Sequence, residues 1–219
     1  MDRPQAVSLE LERDLDNLVS LNKHFGSHRL LLSFAARWLQ PGGTYRILDL
    51  ATGAGDLPRE LVLWARARNI RLTVDAVDFQ ASTLAIAQGK SAGFPEIHWK
   101  QADVLSFTTE QPYDLVLCSL ALHHFSDADA VQVLRQCAAL SARWVLVSDL
   151  ERSLFTQIGV WLLTQFVYRD PMTRFDARVS TERSFSRQEL LQMATEAGWL
   201  EFQFGRFLFS RQAVWMERR

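Results

Sequence analysis

The chain is short of cysteine, of lysine, of any excess of one charge and of long apolar runs, and each shortage excludes something. Cys118 and Cys137 are the only cysteines among 219 residues. Two are too few for a disulfide scaffold, and both stand in apolar surroundings that read as a buried strand and a buried helix. A reduced, cytoplasmic protein is the expectation. No stretch reaches the roughly 18 apolar residues of a membrane span. The start, MDRPQAVSLELERDLD, carries acids where a secretory leader would carry an apolar segment. The net charge is −1, so no general field recruits nucleic acid or an anionic membrane. Basic residues are almost all arginine, with Lys23, Lys90 and Lys100 the exceptions.

What is present is an ordinary globular composition, 48% hydrophobic and 22% charged, enough for one sizeable core. Residues 8–20 and 27–39 carry apolar positions at helical spacing, with Leu30, Leu31, Phe34, Ala35 and Trp38 on one side of the second. This preamble (1–43) closes on Pro41, Gly42 and Gly43. Short apolar runs then appear at 45–50, 71–78, 97–103, 113–120 and 143–150, separated by helical segments. Such alternation predicts βαβ units and a parallel sheet covered on both faces. At the end, WLEFQFGRF (199–207) and RQAVWMER (211–218) are joined by a link too short for anything but antiparallel pairing. The expected fold is therefore α/β and Rossmann-like: a mostly parallel sheet finished by an antiparallel C-terminal hairpin, with helices on both faces.

Between the fifth strand and the hairpin lies a long interval, 151–186. Residues 154–168, LFTQIGVWLLTQFVY, predict an apolar helix offering Phe155, Ile158, Trp161, Leu162, Phe166 and Tyr168, with Thr156, Gln157, Thr164 and Gln165 as its polar minority. Such a helix forms either an aromatic wall over the ligand cleft or a face packed on the sheet or on a second copy. Residues 169–185 read as a polar, Arg-rich loop containing Arg174, Arg178 and Arg183. Ser186 with Glu189 fits a capping box that opens the next helix.

The stretch LDLATGAGDL (48–57) concentrates the chemistry. In a parallel sheet, ligands sit outside the carboxyl ends of the strands, beside the first one. A dinucleotide site there uses three glycines, with the pyrophosphate on a helix N-terminus. Here Pro58 stands in place of the third glycine, and Asp56 puts a negative charge where the pyrophosphate would lie. Asp49 and Asp56 suit instead a cofactor with a positive charge and an amino group. Asp78, ending the second strand, is placed to accept from two ribose hydroxyls, and Asp103, after Gln101 and Ala102, from an adenine amino group.

Taken in order, LDLATGAGD, Asp78 in VDAVDF, QADV (101–104) and DLVLCSLALHHF resemble the successive motifs of class I S-adenosylmethionine-dependent methyltransferases. The likeness spans 45–150, and LATGAGD resembles the quinone-biosynthesis C-methyltransferases in particular. The whole chain looks like bacterial small-molecule methyltransferases of polyketide and phenolic secondary metabolism. The resemblance implies a seven-stranded sheet whose last strand alone is antiparallel. It implies cofactor contacts from Asp49, Ala51, Thr52, Gly53, Gly55 and Asp56 around the methionine part, Asp78 and Phe79 at the ribose, and Ala102, Asp103 and Val104 beside the adenine, with Ser119 and Leu120 at the fourth strand. The cofactor would be S-adenosyl-L-methionine, its product S-adenosyl-L-homocysteine.

Methyl transfer requires alignment and, for some acceptors, removal of a proton. His123 and His124, after the fourth strand, are candidate bases, and Asp149, ending the fifth, is a second candidate base or an orienting group. Each has a structural reading as a packing or helix-start residue. The motif of amine- and nucleic-acid-methylating members, Asn or Asp followed by two prolines and an aromatic, is replaced by Ser119-Leu120-Ala121-Leu122. No second cluster of oxygen ligands suggests a metal, so no metal is expected. Lys23, His24 and His28 become substrate contacts if the preamble covers the cleft, and otherwise read as surface residues. The acceptor is expected to be a small molecule, the protein a monomer or homodimer, and nucleic acid no partner. Two rivals share the fold: a nicotinamide-dependent oxidoreductase, opposed by Pro58 and Asp56, and a non-catalytic cofactor- or partner-binding protein.

Overall fold

Aliphatic and β-branched runs build the strands, and in the computed structural model, which describes residues 6–166 and 171–218, they pair in the order β3-β2-β1-β4-β5-β7-β6. The strands are β1 (Thr44–Leu50), β2 (Arg71–Asp78), β3 (Ile97–Gln101), β4 (Tyr113–Ser119), β5 (Ser141–Leu150), β6 (Gln203–Phe207) and β7 (Arg211–Glu217). β1 to β5 are mutually parallel, and β7 runs antiparallel to both β5 and β6. The reversed strand is thus the last one, as the motif resemblance implies. Ile47, Leu48, Leu50, Val74, Leu115, Val116 and Leu117 are fully buried. They need to be apolar on both faces, because helices cover both sides of a parallel sheet.

On one side pack α2 (Ser27–Trp38) and α3 (Asp56–Arg66), with Leu30, Leu31, Phe34, Ala35 and Trp38 meeting Leu61, Val62 and Trp215. On the other pack α5 (Asp127–Leu140) and α8 (Arg187–Glu196), where Cys118 and Cys137 are buried and unoxidised. The expected capping box opens α8: the Ser186 hydroxyl accepts from the Glu189 amide while Glu189 accepts from the Ser186 amide. α4 (Ala81–Gly89) covers β2 and β3.

Three helices lie across the carboxyl edge of the sheet. α1 (Leu9–His24) buries Leu11 and Leu15 against Ala54 and Ile86, and Lys90 holds it down through Asp16 at 2.5 Å. α6 (Leu154–Phe166) and α7 (Pro171–Arg183) pack on each other beside it. α7 corrects the sequence reading, which made 169–185 a loop. Polarity suggested a loop, yet Arg, Met, Ala and Glu all favour helix, and Pro171 stands at the first helical position, where its missing N–H costs nothing. Tyr168 lies outside the described residues, as do the side chains of Phe155, Thr164 and Phe166. Among the described residues no helix is long and apolar enough to cross a membrane.

Candidate functional site

The carboxyl ends of β1, β2, β4 and β5, roofed by α1, α6 and α7, enclose a cavity of about 900 Å³. Its size lies within the range of small-molecule sites. At the β1 end the turn after Leu50 is shaped by a short network. The Thr52 hydroxyl donates to Asp49 at 2.6 Å, the Thr52 amide to the Val77 carbonyl at 2.9 Å, and the Gly53 amide to Asp78 Oδ2 at 2.8 Å. Asp78 Oδ1 accepts from the Gln80 amide at 2.9 Å. Burial raises the Asp78 carboxyl above its ordinary pKa, and these amide bonds oppose the shift. Asp49 is 1% exposed. Burial pushes its pKa up to about 7; the Thr52 hydroxyl opposes this and the nearby charges of Asp56 and Asp78 add to it.

Asp49, Ala51, Thr52, Gly53, Asp56, Asp78, Phe79, Asp103, Val104, Ser119 and Leu120, all expected at a cofactor site, line this cavity. Phe79 is 55% exposed at the rim, and Asp103 Oδ1 accepts from the Leu105 amide at 2.9 Å. Gly55 and Ala102 are not in the wall. Gly55 caps α3 in the left-handed conformation (φ +69°), and a Cβ there would fall 2.3 Å from Trp99. Its glycine is required by packing between the loop and β3. The Ala102 amide donates to the Asp78 carbonyl and so positions the Asp78 backbone.

At the β4–β5 end, the 3-10 turn Leu122–His124 brings both histidines to the cavity. His123 is buried, and its Nδ1 lies 2.7 Å from Asp149 Oδ1 while its amide donates to Asp149 Oδ2 at 2.9 Å. Asp149 stands behind His123 and not in the wall, so its geometry is that of an orienting group. Burial alone would raise the Asp149 carboxyl. The charge and hydrogen bond of His123, with the Leu150 and His123 amides, outweigh it and hold the carboxyl below the ordinary value. The Asp149 bond occupies Nδ1, and among the described residues no hydrogen bond to Nε2 is found, an arrangement that suits proton transfer. His124 is exposed, its ring 4.2 Å from that of His123.

The roof departs from expectation in three ways. The cavity face of α6 is made by Thr156, Gly159, Val160 and Leu162, whereas Ile158 and Trp161 are exposed. Among the described side chains the α6 wall over the cleft is aliphatic, and helical spacing turns Ile158 and Trp161 away from it. His28 is buried, neither a substrate contact nor a surface residue: its Nε2 lies 2.8 Å from Asp56 Oδ2, which also accepts from Asn22 at 3.3 Å. Lys23 and His24 are exposed. Arg174 and Arg178 belong to α7 and donate to Gln165.

Sequence reasoning missed Leu15, Leu18 and Phe25 from α1, and Phe209, Ser210 and Arg211 from the hairpin, all in the wall. For Arg211 one signal was readable: a single cation opening a buried strand whose centre, Ala213–Met216, is apolar. Among the described residues no group of three His, Cys, Asp or Glu side chains could hold a metal ion.

Comparison with known proteins gives the context for this geometry. Residues 47–143 match the family described as a methyltransferase domain. A curated relative, the 2-phytyl-1,4-naphtoquinone methyltransferase of Thermosynechococcus vestitus, is 32% identical over 149 residues, covering 65% of this chain and 64% of the relative. The chain thus spans under two thirds of that protein's length. Human N-acetylserotonin methyltransferase, solved in complex with SAM, superposes with a TM-score of 0.68 at 16% identity, covering 95% of this chain and 55% of that one. The magnesium protoporphyrin IX methyltransferase of Synechocystis, solved with bound SAH, gives a TM-score of 0.56 at 15% identity, with 97% and 85% coverage. Residues 47–143 therefore resemble a methyltransferase domain, and the fold is the one that the motifs implied.

Proposed function

We propose that the chain is an S-adenosylmethionine-dependent methyltransferase that acts, at oxygen or carbon, on a small acceptor of aromatic or polyketide type. The observation that carries this is the acidic end of the cavity. Asp49, Asp56 and Asp78 line one end of it, and Gly53 and Gln80 hold Asp78 with its carboxylate against the space. A pyrophosphate would be repelled there, so the nicotinamide reading is not favoured. A sulfonium with an amino-acid ammonium is attracted, and a ribose finds an acceptor in Asp78.

When bound, the cofactor supplies an electrophilic methyl carbon. The chain's residues supply the rest. Asp78 and Phe79 orient the nucleoside part, with Asp103 and Val104 beside the base. Asp49 and the Ala51-Thr52-Gly53 turn hold the amino-acid part. α1, α6 and α7 exclude water over the acceptor, and His123, oriented by Asp149, accepts a proton at Nε2. The quinone and porphyrin methyltransferases among the relatives support a flat acceptor. The net charge supports a protein with no nucleic-acid partner, and the scarcity of cysteine, two residues that form no disulfide, supports a cytoplasmic location. A monomer or homodimer is the proposed state.

Calorimetric titration with S-adenosylmethionine, S-adenosylhomocysteine and NADH, on the protein and on Asp78→Asn, tests the reading. Binding of the first two, weakened by the substitution and absent for NADH, supports it. Binding of NADH alone overturns it in favour of an oxidoreductase. Binding of none overturns it in favour of an interaction protein. Replacing His123 with Ala is expected to slow single-turnover methylation of an acceptor; an unchanged rate removes His123 from the mechanism.

A further inference from the structure

Arg211 opens β7, paired with Leu150 at the carboxyl end of β5, and both side chains line the cavity. It is 5% exposed. Its Nε donates to the carbonyl of Phe25, the C-cap of α1, at 3.2 Å. A cation at a helix C-terminus is favourable, and that contact alone could be structural. It leaves the rest of the guanidinium unexplained: among the described residues the buried Nη1 has no acceptor. The carboxylate that could have paired with it is already committed. Asp149 accepts from the His123 ring, the His123 amide and the Leu150 amide, and reaches Arg211 only through its field. Burial lowers the guanidinium to about 10, so it remains charged at neutral pH. An unpaired buried charge is costly unless something completes it.

The charge of the cavity is also divided. Asp49 and Asp78 belong to β1 and β2, while Arg211 lies three strand spacings from β1, roughly 14 Å across the sheet. One end attracts a cation and the other an anion.

We propose that Arg211 is the recognition residue for an anionic acceptor: its guanidinium fork binds the oxyanion of a phenolate or enolate at the end of the cavity opposite the acidic residues. This rests on the methyl-transfer reading and names its substrate class. His123, bonded to the same Asp149 whose field reaches Arg211, takes the hydroxyl proton. The acceptor O–H bond breaks, an N–H bond forms at Nε2, and the negative oxygen comes to rest on Arg211 as a charge-assisted pair. The acceptor is then a nucleophile before the methyl carbon is reached. The turn Phe209–Ser210 before Arg211 and the Phe25 ring, 5.4 Å from that of Phe209, form the adjoining wall for a flat ring.

The test uses 4-nitrophenol, whose ionisation is visible by absorbance, added to protein saturated with S-adenosylhomocysteine. The bound probe is expected to titrate at least about one pH unit below the free probe, a tenfold change in the ratio of ionised to neutral probe. Arg211→Gln is expected to abolish the shift while still binding S-adenosylhomocysteine. In the unmodified protein, 4-nitroanisole, which cannot ionise, is expected to bind at least tenfold more weakly than 4-nitrophenol, and this comparison needs no variant. No saturable uptake of 4-nitrophenol, a bound probe titrating as it does free, an equal shift in Arg211→Gln, or equal affinity for 4-nitroanisole each overturns the proposal. Failure of the unmodified protein to bind S-adenosylhomocysteine overturns the methyl-transfer reading instead, so the two failures are distinguishable.

Discussion

Replacing Asp49 with asparagine should stabilise the protein at alkaline pH and weaken its hold on a cationic cofactor. The carboxyl is 1% exposed and its pKa is raised, chiefly by burial, from 3.8 to about 7. In the unfolded chain the proton leaves near 3.8; in the folded chain it stays until about 7. The native state therefore holds more protons between these values, and the associated stability is full below 3.8 and lost as pH rises through 7. Three units of separation correspond to about 4 kcal/mol, of which about 2.5 kcal/mol accrues between about pH 5 and about pH 8. Asparagine keeps an oxygen for the Thr52 hydroxyl and carries no titrating proton. In urea denaturation at the two pH values, with equal slopes, the stability of Asp49→Asn relative to the parent should rise by that ~2.5 kcal/mol toward the alkaline end. A difference that does not change with pH refutes the reasoning. In the same variant, affinity for S-adenosylmethionine should fall, because the charge that destabilises the empty site is the one a sulfonium and an ammonium would meet.

Asp149→Asn should cost about 3 kcal/mol, since it removes the charged acceptor of a buried pair. The parent's pKa at this site is depressed, so its contribution is present above 3.8 and lost as pH falls through the folded value; the acid limb of the stability curve should flatten in the variant, and an unchanged limb counts against the pair. Gly55→Ala should destabilise by about 2–3 kcal/mol in urea, because the left-handed backbone and the 2.3 Å approach to Trp99 both resist a Cβ; a neutral change would mean that the loop is not packed on β3. Removing the imidazole of His28 by alanine should cost about 1–3 kcal/mol in thermal melts, since Asp56 loses its 2.8 Å partner, and an unaltered melt would place His28 at the surface.

The strand positions were legible because a parallel sheet needs runs apolar on both faces, and such runs stand out between amphipathic helices. Asp49, Asp78 and Asp103 were legible for a related reason: an acid at or just beyond the carboxyl end of an apolar strand is conspicuous, and that is where ligands gather. What escaped depends on contacts distant in the chain. Gly55 looks like a ligand-loop glycine until Trp99 is seen against it. His28 looks like a surface residue until α2 brings it to Asp56. The cavity face of α6 needed its rotation about its own axis, which a predominantly apolar helix with its few polar positions on no single stripe does not encode. α7 was hidden because polarity is a signal of exposure, and an exposed helix and an exposed loop share it.

The backbone at the cavity edge points to the same division between scaffold and site. Among the described residues five other than glycine have positive φ, and four of them, Ala51, Leu120, Phe209 and Ser210, line the cavity. The fifth, Asn69, lies in the turn before β2 and is of a type that tolerates this conformation. Each of the four costs on the order of 1–3 kcal/mol relative to a relaxed backbone. Glycine would relieve that cost at every one of these positions, as it does at Gly53 and Gly55 in the same loop. Leucine and phenylalanine in its place therefore have to contribute through their side chains. Leu120 does so between the acidic end and the histidines, after the Ser148 carbonyl has fixed its amide at 2.8 Å, and Phe209 does so against Phe25 beside Arg211. The strained turns thus shape the cavity wall both beside the acidic residues, at Ala51 and Leu120, and beside Arg211, at Phe209 and Ser210.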